Sequence, residues 1–506
     1  MPAAAKEITV IDRLNERATR TGGRIGIVDI GSNTVRLVVY DAPARLPVPI
    51  FNERVACQLG KGIGKTHKLN PDGVKLALKT LARFTSLARQ MPVERFKMVA
   101  TAAVREASDG PEFAREVERR FGYPVEILSG EEEARLGAVG ILGGVRDADG
   151  LFGDLGGGSL DLVLLENGQF KKSATVPLGH LRLAEDAGGS MNAARALADK
   201  AFAEIDWLRD AAGQNFYAVG GACRSLARIY VEQTNYPLHV LDYLTIPAKP
   251  AIDLTRLIST QSPASLERMS SVARRRADTL PFASLAINRL LEVSKAKALV
   301  FSGFGLREGL FFEQLPAAVR RQDPLISVCD GFAQRSGRFA VHGEEIYNWM
   351  VPVLSDLDDG DHRLAHAAAL LSDIGWTEHP DYRALHAFLR VLRFPIAGIT
   401  HRERVILALA VFVRYNGRRR QEEVQTVRPL LSEDDQQNAE VIGLALRLAH
   451  VLSGGVPDVL PRSILTLTSN RLTMKLQGDA KELSGEGVQR IFDDLAEQLG
   501  VKGEIA

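Results

Sequence analysis

At 506 residues the chain is too long for one hydrophobic core, and ordinary domain sizes imply three to four domains. Apolar residues at 45% and charged residues at 25% are globular proportions, which excludes collagen-like sequence and extensive disorder. The net charge of +1 means that any polyanion must be met by arginines and lysines gathered locally, not by the chain as a whole.

Residues 1–22 read as a polar N-terminal tail, and Met1 to Thr21 contains no apolar core of a secretory signal. No run of about 18 apolar residues occurs, so no membrane span and no membrane partner are expected. Cys57, Cys223 and Cys329 are widely separated and lack C-x-x-C spacing, which argues against a disulfide framework or a thiolate zinc site and fits a reducing cytoplasm.

From Arg24 an apolar run, Ile25-Gly26-Ile27-Val28, leads into Asp29-Ile30-Gly31-Ser32-Asn33-Thr34, and a second β-like run, Val35 to Tyr40, follows at once. Two strands joined by a tight polar turn predict a hairpin rather than a strand–loop–helix phosphate site. Helical periodicity covers Pro71 to Arg89, Phe96 to Thr101 reads as a strand ending before Arg105, and Ser129-Gly130-Glu131-Glu132-Glu133 reads as a helix start with acidic residues in its first turn. A second strand–turn–strand unit spans Leu151 to Leu165 around Asp154-Leu155-Gly156-Gly157-Gly158-Ser159, some 125 residues after the first. The repetition predicts an internal duplication of related α/β domains. Further Gly-rich turns lie at Ala218 to Ser225 and Phe301 to Gly309; beyond Pro316 the pattern becomes helical, with a β-β-α module at the end that includes Ser463 to Thr468, Arg471 to Leu476 and a helix from Gln489 to Leu499.

The turns carry chemistry. Glycines let backbone amides approach a phosphate closely, Ser32, Asn33, Thr34 and Ser159 add donors, and the aspartates Asp29 and Asp154 can hold a hard cation or its water shell. Three consecutive glycines at 156–158 lose much backbone entropy on folding, and a close approach to a ligand supplies the reason to keep them. The two loops are expected to grip one phosphate from opposite lobes. A plain hairpin turn capped by Asp and Asn is the alternative for the first loop.

The ordered set Asp29 to Thr34, Ser129 to Leu136, Asp154 to Ser159 and Gly303 to Gly309 resembles the exopolyphosphatase/guanosine pentaphosphate phosphatase (Ppx/GppA) family, over roughly residues 24–313. The resemblance implies two actin/sugar kinase/heat-shock ATPase-like (ribonuclease H-like) α/β lobes, followed by an all-α degenerate HD-like domain and a small α+β module. The corresponding domains are 1–22 tail, 23–140 lobe I, 141–316 lobe II, 317–452 helical domain and 453–506 C-terminal module. It further implies phosphate binding by Gly31, Ser32, Asn33, Thr34, Gly156, Gly157, Gly158 and Ser159, with Mg2+ near Asp29, Asp154 and Asp161. Asp161 stands where many relatives carry glutamate, so structural pairing is an alternative to metal contact. The family's catalytic glutamate carries over to Glu133 or its neighbour Glu132, with Glu133 preferred; such a carboxylate orients and deprotonates the attacking water. Arg105 matches a family arginine and is assigned to charge on the transferred phosphoryl group.

His342, His362, His366, Ser372-Asp373 and His401 resemble the metal site of HD phosphohydrolases, but Ser372 occupies the place of the motif histidine, which predicts a scaffold in place of a complete site. Arg274-Arg275-Arg276 and Arg418-Arg419-Arg420 are candidates for the path of a long polyanion, a soluble basic helix face being the alternative. No zinc-finger spacing or aromatic ladder supports specific nucleic-acid binding. The expected function is processive release of terminal phosphate from inorganic polyphosphate, with guanosine pentaphosphate 5′-phosphohydrolase as the rival and a non-catalytic nucleotide sensor or actin-like ATPase as the alternative of another class. A homodimer is expected by analogy alone.

Overall fold

The computed structural model describes residues 23–41, 44–46, 48–145, 148–336, 338–418 and 420–506, so the tail at 1–22 and Arg419 lie outside the described residues. The chain forms two compact units: Met1–Glu232 with Thr245–Arg321, and Gln233–Leu244 with Gln322–Ala506.

The first unit holds two sheets. Strands β1 (Arg24–Ile30), β2 (Thr34–Tyr40), β3 (Pro49–Ala56), β4 (Val93–Ala100) and β5 (Val125–Ile127) pair in the order β3-β2-β1-β4-β5, with β1 antiparallel to β2 and parallel to β4. Strands β6 (Gly150–Leu155), β7 (Leu160–Glu166), β8 (Gln169–Val176), β9 (Asn215–Val219), β10 (Thr245–Pro247) and β11 (Ala298–Phe301) repeat that plan as β8-β7-β6-β9-β11, and β10 adds an antiparallel edge. The duplicated α/β lobes of the ribonuclease H-like plan are therefore present. The helix Gly130–Gly144 runs across position 140, and the first unit ends at Arg321.

The centre of the first sheet is buried on both faces, so β1 and β2 are nearly continuous in apolar residues, as strands covered on two sides are. Val28, Ile30, Val35, Leu37 and Val39 pack with Leu81 and Phe84 of the helix Pro71–Gln90 on one face. On the other, Ile25, Ile27, Val38 and Tyr40 pack with Leu306, Leu310, Phe311 and Phe312 of the helix Leu306–Glu313. That helix leaves the second lobe and lies against the first, so one hydrophobic cluster ties the lobes together: the Tyr40 and Phe311 ring centroids are 4.8 Å apart. It also packs against the helix Gly130–Gly144, where Gly140 and Gly309 permit the close approach; a Cβ at Gly309 would lie 1.9 Å from the Leu136 carbonyl oxygen.

The second unit is helical from Pro324 to Ser453 and ends in β12 (Ser463–Thr468), β13 (Arg471–Leu476), the helix Glu486–Gln498 and β14 (Lys502–Ile505). β14 pairs parallel to β13 and completes a three-stranded sheet where two strands were expected. Its sequence, Lys-Gly-Glu-Ile, carries only one large apolar side chain, so periodicity could not reveal it. Among the described residues no helix is long and apolar enough to cross a membrane.

Candidate functional site

The two hairpin turns are built alike. Gly31 N–H donates to the Thr34 carbonyl and Gly156 N–H to the Ser159 carbonyl, each at 3.0 Å. Strand alternation then fixes which side chains face the site. Asp29 lies on the Ile25/Ile27 face of β1, directly opposite Arg36 of β2, while Asp154 of β6 lies directly opposite Asp161 of β7. The two turns face one another: a Cβ at Gly158 would lie 3.1 Å from Ser32 Oγ, and one at Gly157 would lie 3.4 Å from Ser32 Cβ. Behind the second turn, a Cβ at Gly179 would come within 2.4 Å of the backbone of residues 157–159, so only glycine fits there.

The later Gly-rich turns complete a cavity of about 170 Å³, whose lining includes Asp29, Ser32, Glu133, Asp154, Gly156 to Ser159, Asp161 and His180. Gly220 adopts φ of 114°, and a Cβ on it would lie 2.5 Å from the Leu155 carbonyl oxygen, which explains the glycine after β9. At the start of the helix Leu306–Glu313, Gly305 N–H donates to Glu308 Oε2 at 2.9 Å, and Arg307 Nη1 donates to Asp29 Oδ2 at 2.7 Å. Thus Asp29 is already paired, whereas the Asp154 carboxylate accepts no hydrogen bond from a described residue.

Glu133 is positioned by the first turn of the helix Gly130–Gly144, which Ser129 caps by accepting from Glu132 N–H at 3.1 Å. Arg105 Nη1 donates to both Glu133 Oε2 and the Leu128 carbonyl, each at 2.9 Å. Burial, with the charge of Asp161, pushes the Glu133 carboxyl well above the usual range despite Arg105. Glu132 points elsewhere, paired through both oxygens with Arg135 at 2.7 and 2.8 Å, and does not line the cavity. Burial also raises Asp154 to about 6, with Asp29 adding to the rise and Arg307 opposing it. Asp161 goes up to about 7 through burial, opposed by the Thr175 Oγ1 hydrogen bond at 2.7 Å and assisted by Asp154. Ser159 Oγ also donates to Asp161, at 3.3 Å, so this aspartate has the structural partners that its short side chain suggested.

Two carboxylates directly opposite each other, Asp161 buried and Asp154 half-buried on the cavity wall, repel and are costly to charge. Their oxygens suit a hard cation such as Mg2+, which takes one or two carboxylates and completes its shell with water and substrate phosphate. The fit is one of chemistry: among the described residues no three His, Cys, Asp or Glu groups converge as a preformed metal cage.

Opposing these acids are Arg36, Arg54, Arg224, Arg276 and Arg307 on the cavity wall. Of the five, Arg307 alone forms a salt bridge within the described residues. Arg36 Nε donates to Asn52 Oδ1 at 2.8 Å and Arg276 Nη1 to Ser225 Oγ at 3.2 Å. Burial lowers both guanidinium groups to about 10, assisted by Arg307 at Arg36 and by Arg224, Arg54, Arg275 and Arg228 at Arg276. Mutual repulsion of this kind is relieved by a bound anion. Arg276 belongs to one of the arginine runs noted in the sequence. Arg36, Arg54, Arg224, Arg307 and His180 were not singled out; the one signal available was the position of Arg36 opposite Asp29 in the hairpin.

Among the described residues the helical unit gathers no metal site. Arg338 clasps Asp373 through two hydrogen bonds of 2.9 and 3.0 Å, and Arg414 adds a third at 3.4 Å. Ser372 Oγ bonds His450 Nε2 at 2.8 Å, His362 meets Tyr347 at 3.2 Å, His366 meets Glu344 at 2.9 Å, and His342 Nδ1 meets the Ala340 carbonyl at 3.0 Å. His401 sits between the Tyr236 hydroxyl at 2.9 Å and the Asp242 carbonyl at 3.1 Å. With both its oxygens engaged by arginines, Asp373 is a structural anion.

Facing glycine turns from duplicated lobes, carboxylates on the cavity wall and four guanidinium groups without a carboxylate partner among the described residues define a two-lobed α/β protein whose cavity suits a phosphorylated anion. Residues 38–318 match the model of the Ppx/GppA phosphatase family, and residues 325–506 match the exopolyphosphatase C-terminal model. The chain belongs to the Ppx/GppA phosphatase family, whose members hydrolyse phosphoanhydride bonds. Among its relatives are retrograde regulation protein 2 of Saccharomyces cerevisiae, 26% identical over 81% of this chain and 75% of that protein, and a guanosine-5′-triphosphate,3′-diphosphate pyrophosphatase of Aeromonas hydrophila, 22% identical over 89% and 91%. An exopolyphosphatase structure from Cytophaga hutchinsonii shares the fold with a TM-score of 0.53 and 21% identity, covering 58% of this chain and 99% of that one.

Proposed function

We propose that this chain is an exopolyphosphatase, releasing orthophosphate from the end of inorganic polyphosphate. The observation that carries the reading is the arginine cluster: Arg36, Arg54, Arg224 and Arg276 line the cavity without a carboxylate partner among the described residues, beside the paired glycine turns. A ligand with closely spaced negative charges offsets their repulsion. Among the described residues the lining carries five arginines and no Phe, Tyr or Trp, so its recognition is dominated by charge, which favours the closely spaced phosphates of polyphosphate.

In this reading the turns at Gly31 to Thr34 and Gly156 to Ser159 bind the terminal phosphate from two sides. Glu133 accepts a proton from water as its oxygen attacks the terminal phosphorus in line, the bond from that phosphorus to the bridging oxygen breaks, and the shortened chain leaves with the bridging oxygen. Burial raises the basicity of Glu133, and Arg105 positions it. Asp154 would hold Mg2+, which would supply charge neutralisation to the phosphate oxygens, while Asp29 stays with Arg307. The cytoplasm is the compartment consistent with three unpaired buried cysteines.

The test is orthophosphate release by purified protein from long-chain polyphosphate and from guanosine pentaphosphate. A kcat/KM higher for polyphosphate is expected. Turnover of guanosine pentaphosphate with negligible release from polyphosphate overturns the assignment in favour of the nucleotide, and no release from either points to a non-catalytic binder.

A further inference from the structure

The two phosphate turns are alike in backbone but unequal in donors. Ser32, Asn33 and Thr34 furnish the first, whereas the second is glycine at 156, 157 and 158, and the hydroxyl of Ser159 is directed to Asp161. His180 lies beside this poorer turn. Its backbone N–H donates to the Gly156 carbonyl at 3.1 Å, and the next two amides donate to the Gly157 carbonyl at 3.0 and 3.1 Å, while Gly179 admits the two backbones to contact. The His180 side chain is thereby held to the turn and lines the cavity.

Its two ring nitrogens differ. Nδ1 is sealed from solvent and has no partner among the described residues; Nε2 is likewise unbonded but is not sealed. Orphaned buried N–H groups are rarer than under-satisfied acceptors, so the sealed Nδ1 is better left as a lone pair, which places the proton on Nε2. We propose that His180, as a neutral imidazole, donates a hydrogen bond from Nε2 to a phosphoryl oxygen of the substrate and is the side-chain donor that the triglycine turn lacks. A neutral donor suits the position: another cation would add to the repulsion among Arg224, Arg276 and their neighbours, and burial beside Arg276 already lowers the imidazole to about 4. The proposal rests on the phosphatase reading above and goes beyond it by adding a binding residue.

The experiment uses three substitutions of the full-length protein. The amide nitrogen of His180→Gln reproduces the reach of Nε2, that of His180→Asn reproduces Nδ1, and His180→Phe keeps the ring without a donor. With polyphosphate, kcat/KM is expected to fall about 10- to 100-fold in His180→Phe and His180→Asn, mostly through KM, and to stay within about threefold of the parent in His180→Gln. In the unsubstituted protein, nitrogen-15 NMR of the imidazoles is expected to show the Nε2–H tautomer for His180 at pH 7 and a shift of that resonance on adding orthophosphate. Parent-like kinetics in a folded His180→Phe protein, rescue by Asn but not Gln, or an Nδ1–H tautomer each overturns the proposal. If the unsubstituted protein releases no phosphate, the phosphatase reading fails; the orthophosphate titration still decides whether His180 is a phosphate donor.

Discussion

Comparing the hairpins at Asp29 and Asp154 separates what a repeated fold supplies from what single residues add. Both turns close with the same 3.0 Å hydrogen bond, and both strands carry an aspartate one residue before their end. The residue opposite that aspartate is Arg36 in the first hairpin and Asp161 in the second. Asp29 is further paired with Arg307, and Asp154 with nothing among the described residues. The aspartate of the first hairpin has its counter-charge; in the second, half-buried Asp154 faces buried Asp161 without one among the described residues. A duplicated backbone thus supplies two equivalent amide cradles, while the unequal side chains leave one of them in need of a cation and a phosphate.

The largest effect tied to this asymmetry is expected at Glu133, whose basicity burial and Asp161 raise. Glu133→Gln should lower kcat on polyphosphate about 10³-fold, the scale of general-base catalysis, with binding retained. Glu132→Gln, which removes only a half-exposed pair with Arg135, should leave kcat within a few-fold; the reverse pattern would move the base by one position.

The second comparison is one of stability. Asp29→Asn strands the Arg307 guanidinium without its carboxylate and should cost about 3 kcal/mol in denaturant unfolding. Asp154→Asn removes a half-buried charge without a partner among the described residues and should leave stability unchanged or raised when measured with a chelator present. Equal losses in the two proteins would show that the hairpins are not electrostatically distinct.

The smallest effect is expected at Asp161. Its folded carboxyl titrates near 7, above the ordinary 3.8, so between these values the folded chain binds more protons than the unfolded one and stability falls as pH rises. Asp161→Asn should therefore stabilise the protein above pH 7 and do so less near pH 4. It should also move the acidic limb of kcat/KM to lower pH, because the Asp161 charge is one cause of the raised Glu133 carboxyl. A pH-independent stability change would contradict the buried-charge account.

Local pattern in the sequence determined the hairpins, the helix start at Ser129 and the switch to helices after residue 316, since each rests on periodicity, glycine or capping chemistry within a few positions. It also indicated the duplication, through two turns of the same shape. Only the tertiary structure decided the rest. Arg307 reaches Asp29 across 278 positions, Arg36 gains its role from the face of the sheet it occupies, and His180 enters the cavity because Gly179 lets its backbone lie against the triglycine turn. The separation of Glu133 from Glu132 was likewise tertiary: both belong to one helical turn, but one side chain faces Arg105 and the cavity while the other faces Arg135. The i,i+3 pair of Glu132 with Arg135 is chain-local, but chain-local rules carry no information about the long-range pairings, whose energies come from burial and from charges that the fold alone brings together.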